Sequence, residues 1–420
     1  MTSLGKKEPL FLSSPQSSCA SETSSSGSSL SSLGGRPPMG VYVHFPWCLA
    51  KCPYCDFVSY ASSTSDGAGY ADAVLRELEK RSETLDGPRV AASLFFGGGT
   101  PSLWDARDLG RVLARIRFAF ATHAEAGPRT AGDLEITVEC NPTSLDETRA
   151  RALVEAGVNR LSIGVQSLDD DRLRFLGRLH DARGALEAIR GAQRAQVPRI
   201  SADLIYGLPG QSAMDACGEA AALLDLGLDH LSCYQLTIEQ GTRFGELAKI
   251  GRLPLADDGA VADTFLALED LLTSRGFVHY EISNYARPGQ EARHNLGYWR
   301  GGEYLGLGCG ACGFLVRDGV AIRYRNDVDP RRYASGAPST DELLDPATRV
   351  RERIMLGLRT SGGLDLNDAA ASVGAPGWTP ARERAAAWLS DRGRIVREGS
   401  RVRIPHTGWL WADDTAARLF

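Results

Sequence analysis

A chain of 420 residues, 43% of them hydrophobic, with a formal net charge of -5, is long enough for two or three domains around a sizeable core. Its mild acidity gives no basis for broad nucleic-acid or membrane-surface binding, and no run approaches the roughly 20 apolar residues of a membrane-spanning helix. Nine cysteines, an odd number and clustered, point to a reducing compartment and to metal rather than to a disulfide framework.

Residues 1–39 stand apart. Between Ser13 and Ser32 more than half the positions are serine, with almost no aromatic content. Such a stretch cannot bury enough apolar surface to offset ordering, so it reads as disordered. An organelle transit peptide is also serine-rich and poor in acids, but it is amphipathic and rich in arginine. This tail has only Lys6, Lys7 and Arg36 and no apolar stripe. A plain cytoplasmic tail is the preferred reading, and an organellar location is the alternative.

After Gly40 the chain alternates. Strand-like runs lie near Val41–Phe45, Ala92–Phe96, Leu134–Cys140, Arg160–Val165, Ile200–Tyr206 and His230–Leu236. Helix-like stretches between them lie near Tyr70–Ser82, Ala106–Phe120, Leu145–Ala156, Asp170–Gln193 and Met214–Leu226. Alternation of this kind implies parallel β/α units with right-handed crossovers. Six units make an open, partial (β/α)6 barrel, whose chemistry belongs at the C-terminal ends of the strands.

The strand ends agree. The first runs into Cys48, Cys52 and Cys55, spaced C-x-x-x-C-x-x-C. Three thiolates this close converge on one small object. A [4Fe–4S] cluster held by three cysteines leaves one iron free for another ligand. A zinc site completed by a distant residue, or three packed cysteines, are the other readings. The second strand ends at Gly97-Gly98-Gly99-Thr100-Pro101, where backbone can approach a ligand without a Cβ in the way. Glu139, after the third, suits an ammonium group. Gln166 and Asp203, near the fourth and fifth ends, suit a ribose diol. Arg178 suits a carboxylate, to which its planar fork can bond twice. A ligand with an amino acid end and a nucleoside end would satisfy all of these.

Residues 246–340 extend the barrel and carry His294-Asn295-Leu296-Gly297-Tyr298-Trp299. An imidazole among aromatics is a sound haem site, and equally a hydrogen-bonded histidine in a packed turn. Residues 341–420 read as helices near Arg349–Leu358, Leu366–Val373 and Ala381–Arg392, then a hairpin over Arg394–Ile404. That order is winged-helix-like. The arginines around the hairpin are mixed with acids, so a solvated face or a lid over the barrel is favoured over DNA recognition.

The landmarks CPYCDF, FFGGGTP, VECNP, RLSIGVQS, DLIYGLPGQ, YQLTIEQGTRF, YEISNYA and HNLGYW together resemble the radical S-adenosylmethionine superfamily. Within it the chain resembles the oxygen-independent coproporphyrinogen III oxidase family, and more closely its HemW-type haem chaperone branch. The resemblance implies that Cys48, Cys52 and Cys55 bind the [4Fe–4S] cluster. It places Tyr42, Tyr54, Gly98, Gly99, Thr100, Glu139, Gln166, Arg178 and Asp203 at positions that bind S-adenosylmethionine. It also implies that His294 is a haem ligand. The oxidases carry a further cysteine where this chain has Phe57, so the resemblance implies a haem carrier rather than a decarboxylating enzyme. Oxidative decarboxylation of coproporphyrinogen III, or another radical reaction on an unknown substrate, are the alternatives. The implied partners are haem, a haem-accepting protein and an electron donor for the cluster. Nucleic acid and a membrane span are not implied; a peripheral contact with a membrane-bound acceptor is compatible. One position departs from the pattern: Cys312, in Gly308-Cys309-Gly310-Ala311-Cys312-Gly313, stands where the family usually has histidine.

Overall fold

The computed structural model describes residues 36–62, 66–87, 89–121 and 134–420. The serine-rich stretch, up to residue 35, lies outside the described residues, and with it the expectation of disorder.

Six strands run parallel, side by side and in chain order: β1 (Met39–Phe45), β2 (Ala91–Gly98), β3 (Glu135–Cys140), β4 (Arg160–Gln166), β5 (Arg199–Tyr206) and β6 (His230–Gln235). Between them come helices α1 (Gly67–Ser82), α2 (Ala106–Ala121), α3 (Glu147–Glu155), α4 (Asp170–Phe175), α5 (Ala182–Arg194) and α6 (Ala213–Leu224). This is the expected partial barrel. Side-chain alternation sorts its two faces. Val41, Val43, Leu94, Phe96, Ile136, Val138, Leu161, Ile163, Leu204 and Leu231 belong to the main apolar core, against the helices. The intervening residues, including Tyr42, Glu139, Ser162 and Asp203, point to the other face, which is polar and aromatic.

Short side chains start the helices. Asp146, Asp181 and Ser212 each accept a backbone N–H of the first turn, and Ser212 forms a reciprocal capping box with Asp215. Each such cap contributes about 1 kcal/mol. The single helix expected over Asp170–Gln193 is two, α4 and α5. The chain breaks where Gly177 takes a left-handed φ of 68°. A side chain there would meet Pro53 at 2.6 Å. The break is what frees Arg178 to turn inward.

The sheet grows at both edges to twelve strands. Past β6 it continues antiparallel into the pair β7 (Val278–Glu281) and β8 (Asn284–Ala286). Before β7 the chain forms α7 (Arg243–Lys249) and α8 (Asp258–Ser274), and after β8 it forms α9 (Arg293–Trp299). Past β1 the sheet continues with β9 (Tyr304–Leu307), parallel to β1, and then antiparallel with β10 (Cys312–Arg317), β11 (Val320–Arg325) and β12 (Thr340–Leu344). The C-terminal part holds helices Pro346–Gly357, Leu366–Ala371 and Pro380–Ser390, and strands Val396–Glu398 and Arg401–Arg403. Its arginines are mostly committed: Arg394 pairs with Asp414, Arg397 with Glu383 and Arg359 with Asp413.

Glycine lets β9 lie against its neighbours. A Cβ on Gly306 would sit 1.8 Å from the carbonyl oxygen of Cys312, whereas one on Gly297, in α9, meets nothing within 4 Å. Gly306→Ala is therefore expected to destabilise by about 3 kcal/mol or more, since backbone cannot yield as a side chain can. Gly297→Ala is expected to stabilise by about 0.5–1 kcal/mol through reduced chain entropy. Thermal denaturation of the two variants checks the contrast.

Candidate functional site at the barrel mouth

The first strand delivers the cysteine loop, and the loop is pinned from several sides. Gly99 and Thr100 donate N–H bonds to the carbonyls of Phe45 (2.7 Å) and Trp47 (2.8 Å), so the end of β2 holds the start of the loop. The loop's return is held by Tyr60 N–H to Pro46 (2.8 Å), its middle by Phe244 N–H to Pro53 (2.9 Å). His44 braces the whole: one ring nitrogen bonds the Tyr42 hydroxyl (2.8 Å), the other the Val58 carbonyl (2.7 Å). His44 is thus a positioning residue.

The glycines at the end of β2 serve this packing as well as the cavity. Gly98 has a φ of 108°, and a Cβ on it would fall 2.4 Å from the His44 ring. One on Gly99 would strike the Trp47 carbonyl at 2.6 Å. The sequence offered a ligand-facing reason for them and, as the alternative, a tight turn.

Cys48, Cys52 and Cys55 line a cavity of about 390 Å³ at the C-terminal ends of the strands, together with Tyr54, Gly98, Gly99, Thr100, Glu139, Gln166, Arg178 and Asp203. Eleven of the sequence-derived positions are thereby brought to one space. Tyr42 and His294 are not among its lining. Tyr42 lies beneath the floor, 6.2 Å from Phe95 and 6.5 Å from His294 between ring centroids. His294 is 3% exposed and stacks on Phe95 at 4.9 Å. Its ring nitrogens bond Ser93 Oγ (2.8 Å) and the Tyr298 hydroxyl (2.9 Å).

Cavity electrostatics fit an amino acid and nucleoside ligand. Burial, then the charge of Asp203, pushes Glu139 up to about 7, against one N–H bond from Gly98 at 3.1 Å. Burial also raises Asp203, which accepts from Ser162 at 3.2 Å. Two carboxyls held out of water with few donors would gain from an ammonium and from hydroxyls. Arg178 donates to the Gly164 carbonyl (2.8 Å) and to Cys52 Sγ (3.6 Å), while its buried Nε has no partner among the described residues. A carboxylate oxygen, or a sulfur of a thiolate-held cluster, would accept from it. Gln166 has a left-handed φ of 67°, a strained setting for a residue with a Cβ, and Gly164 is bare beneath it. Three thiols on one wall, with an unfilled guanidinium beside them, fit a cluster with one open coordination position.

Sequence reading missed two parts of this machinery. Ser162 could have been found from the alternation Ser162, Gly164, Gln166, which puts all three on one face of β4. Glu135 carried no local signal. Its carboxylate accepts the N–H groups of Arg293 (3.1 Å) and His294 (3.0 Å), capping α9, and pairs with Arg199 at 2.7 Å. Burial works against this carboxylate, but Arg160, the two N–H groups and Arg199 outweigh it and hold Glu135 below its ordinary range. Cys309 and Cys312 are both free thiols, and Cys309 Sγ turns to the Val328 carbonyl at 2.9 Å. Cys140 and Cys233 are buried as packing residues.

Comparison with known proteins accords with this geometry. Residues 42–217 match the family model of the radical SAM superfamily, and residues 344–411 match that of the HemN C-terminal domain. The solved coproporphyrinogen III oxidase (HemN) of Escherichia coli shares the fold, with a TM-score of 0.75 at 20% identity over 91% of this chain and 90% of that one. Fold and site therefore define a radical S-adenosylmethionine protein, a class that implies a [4Fe–4S] cluster and S-adenosylmethionine. The chain is 39% identical to the haem chaperone HemW of Escherichia coli over 71% of its length and 76% of that protein. It is 36% identical to HemW of Mycobacterium tuberculosis over 91% and 95% respectively. A bovine protein, radical S-adenosyl methionine domain-containing protein 1, mitochondrial, is 40% identical over 80% of this chain and 71% of its own. The chain belongs to the HemW family.

Two predictions follow from the cavity. Cys52→Ala, which removes the thiol nearest Arg178, is expected to lose most iron and sulfide after anaerobic reconstitution; iron and sulfide analysis measures it. Glu139 sets a pH dependence. With its pKa near 7, an ammonium-bearing ligand must displace a proton below that pH. S-adenosylmethionine affinity is thus expected to fall as pH drops below about 7, by at most about tenfold per unit. Glu139→Gln is expected to bind more weakly with a flatter profile. Equilibrium dialysis of the reconstituted protein across pH tests both. The same shift means that the ligand-free fold loses stability as pH rises from the ordinary carboxyl range through about 7.

Proposed function

We propose that this chain is a haem chaperone that holds a [4Fe–4S] cluster with S-adenosylmethionine at the barrel mouth and passes haem to an acceptor protein. Cys48, Cys52 and Cys55 would hold the cluster. Arg178 and Glu139 would take the carboxylate and ammonium of S-adenosylmethionine, and Gln166 and Asp203 its ribose. Tyr54, Gly98, Gly99 and Thr100 would close around it, with Tyr42 supporting the floor. The cluster, when bound, supplies an electron for reductive cleavage of the sulfonium carbon–sulfur bond. The walls exclude water from that chemistry. An acceptor protein and an electron donor are the partners this reading requires.

The observation that carries the haem reading is a second cavity of about 300 Å³. Tyr298, Tyr304, Phe314 and Met355 give it apolar and aromatic walls, and Arg349 and Arg353 supply cations, while Arg323 is paired with Glu342 and with Glu352 of the lining. Burial lowers both Arg349 and Arg353, and Arg349 lowers Arg353 further, so anionic groups between them would be welcome. A flat macrocycle with two carboxylates has that chemistry. His294 stands behind Tyr298, and burial lowers it to about 4. Its imidazole is therefore neutral at neutral pH, the form that binds iron. His294 would hold the haem iron through Nε2, were the Tyr298 hydroxyl to leave it.

Phe57, 59% exposed on the cysteine loop, occupies the place of the oxidases' extra cysteine and favours carriage over decarboxylation. The cytoplasm is the proposed location, and an organelle is the alternative; the bovine relative is named as mitochondrial. Among the described residues no helix is long and apolar enough to cross a membrane.

Haem titration of the reconstituted full chain is expected to give a saturable visible band, weakened about tenfold or more in His294→Ala. Absence of haem binding in the wild type, or sustained anaerobic decarboxylation of coproporphyrinogen III, would overturn the reading.

A further inference from the structure

Far along the chain from the cysteine loop, three side chains with metal-binding chemistry converge. Glu269 lies on α8, His279 on β7, and His406 opens the short helix His406–Trp411 in the C-terminal part. One ligand atom from each lies within 4.8 Å of the other two. Glu269 Oε1 is 2.8 Å from His406 Nδ1, and Glu269 Oε2 contacts His279 Nδ1. The Tyr285 hydroxyl donates to that second oxygen at 3.1 Å, fixing the carboxylate's orientation.

His279 is the informative member. It is 1% exposed, stacked on Tyr285 at 3.9 Å and met edge-on by Trp409 at 4.1 Å. Its Nε2 faces the Ile282 carbonyl at 3.3 Å, and its buried Nδ1 has no hydrogen bond in good geometry, although it abuts the carboxylate. Both ring nitrogens face oxygen acceptors, Nδ1 the Glu269 carboxylate and Nε2 the Ile282 carbonyl. A metal ion held by Nδ1 would take the place of the proton shared with Glu269. The remote N–H then donates to a backbone carbonyl, the arrangement that orients a metal-binding imidazole and fixes its tautomer.

We propose that Glu269, His279 and His406 bind a divalent transition-metal ion of the zinc class, which fastens the C-terminal part to the edge of the barrel sheet. Two imidazole nitrogens and one carboxylate oxygen suit such an ion better than calcium or magnesium, which prefer all-oxygen shells. Tetrahedral bonds of about 2.1 Å set ligand atoms about 3.4 Å apart, so Glu269 and His279, which touch directly, part slightly to admit the ion. The His406 side chain is 58% exposed, which provides an entry path and leaves the fourth position to water.

The test uses the full chain, stripped with a chelator and then titrated with zinc against a competing indicator. His406→Ala removes an exposed ligand that the fold does not need. Wild type is expected to bind one zinc equivalent more than this variant, and to show a zinc-dependent rise in Tm that the variant lacks. Cobalt(II) in that extra site is expected to show no thiolate charge-transfer band, which separates it from the cysteine loop. Glu269→Gln is expected to weaken the extra site at least tenfold. Equal zinc stoichiometry in wild type and His406→Ala, or an extra site with a thiolate band, would overturn the proposal.

Discussion

The seam between the ends of β1 and β2 is the constraint on which the site depends. Two backbone bonds, from Gly99 to Phe45 and from Thr100 to Trp47, join the glycine run to the root of the cysteine loop. They form only because glycine lets the two backbones touch: a Cβ on Gly99 would lie inside van der Waals distance of both carbonyl oxygens. The His44 ring fills the space beside Gly98 and reaches the far side of the loop at Val58. A loop of three cysteines would otherwise pay a large entropic cost to converge on one metal object. Here that ordering is built into the strands, so the thiols are placed before any iron arrives.

Much of this was legible in the chain before its fold was known. Short apolar runs at regular spacing specify parallel strands, and the polar residues near their ends specify a mouth. The cavity gathers eleven of the positions named from the strand ends and from the family resemblance. What was not legible depends on contacts between distant segments. Glu135 looks like one more strand residue, yet it holds the two N–H groups that begin the helix of His294. The helix break before Arg178 was hidden because Leu176-Gly177-Arg178 sits inside an otherwise helical pattern. Tyr42 belongs with the cavity residues by the resemblance but is not among the lining, because strand periodicity states which face a side chain takes and not how deep it sits. The cluster of Glu269, His279 and His406 has no local spacing at all.

Charge placement separates the two ends of the molecule's chemistry. At the mouth, Glu139 and Asp203 are raised chiefly by burial and lack strong cationic partners. In the C-terminal part the carboxylates Glu383, Asp413 and Asp414 each have an arginine. The first pattern stores electrostatic discomfort that a ligand can relieve; the second is satisfied within the chain. A cavity with fewer charges can thus be the better place for a charged ligand than a surface with many.

The ring column under the floor has a consequence for coupling between the two cavities. Tyr42, His294 and Tyr298 follow one another from beneath the mouth to the wall of the second cavity, at centroid spacings of 6.5 Å and 4.8 Å. Packed side chains line this route, and the His294 imidazole bonds the Tyr298 hydroxyl along it. A change at either cavity can therefore be felt at the other as a shift in stacked rings and a shared proton.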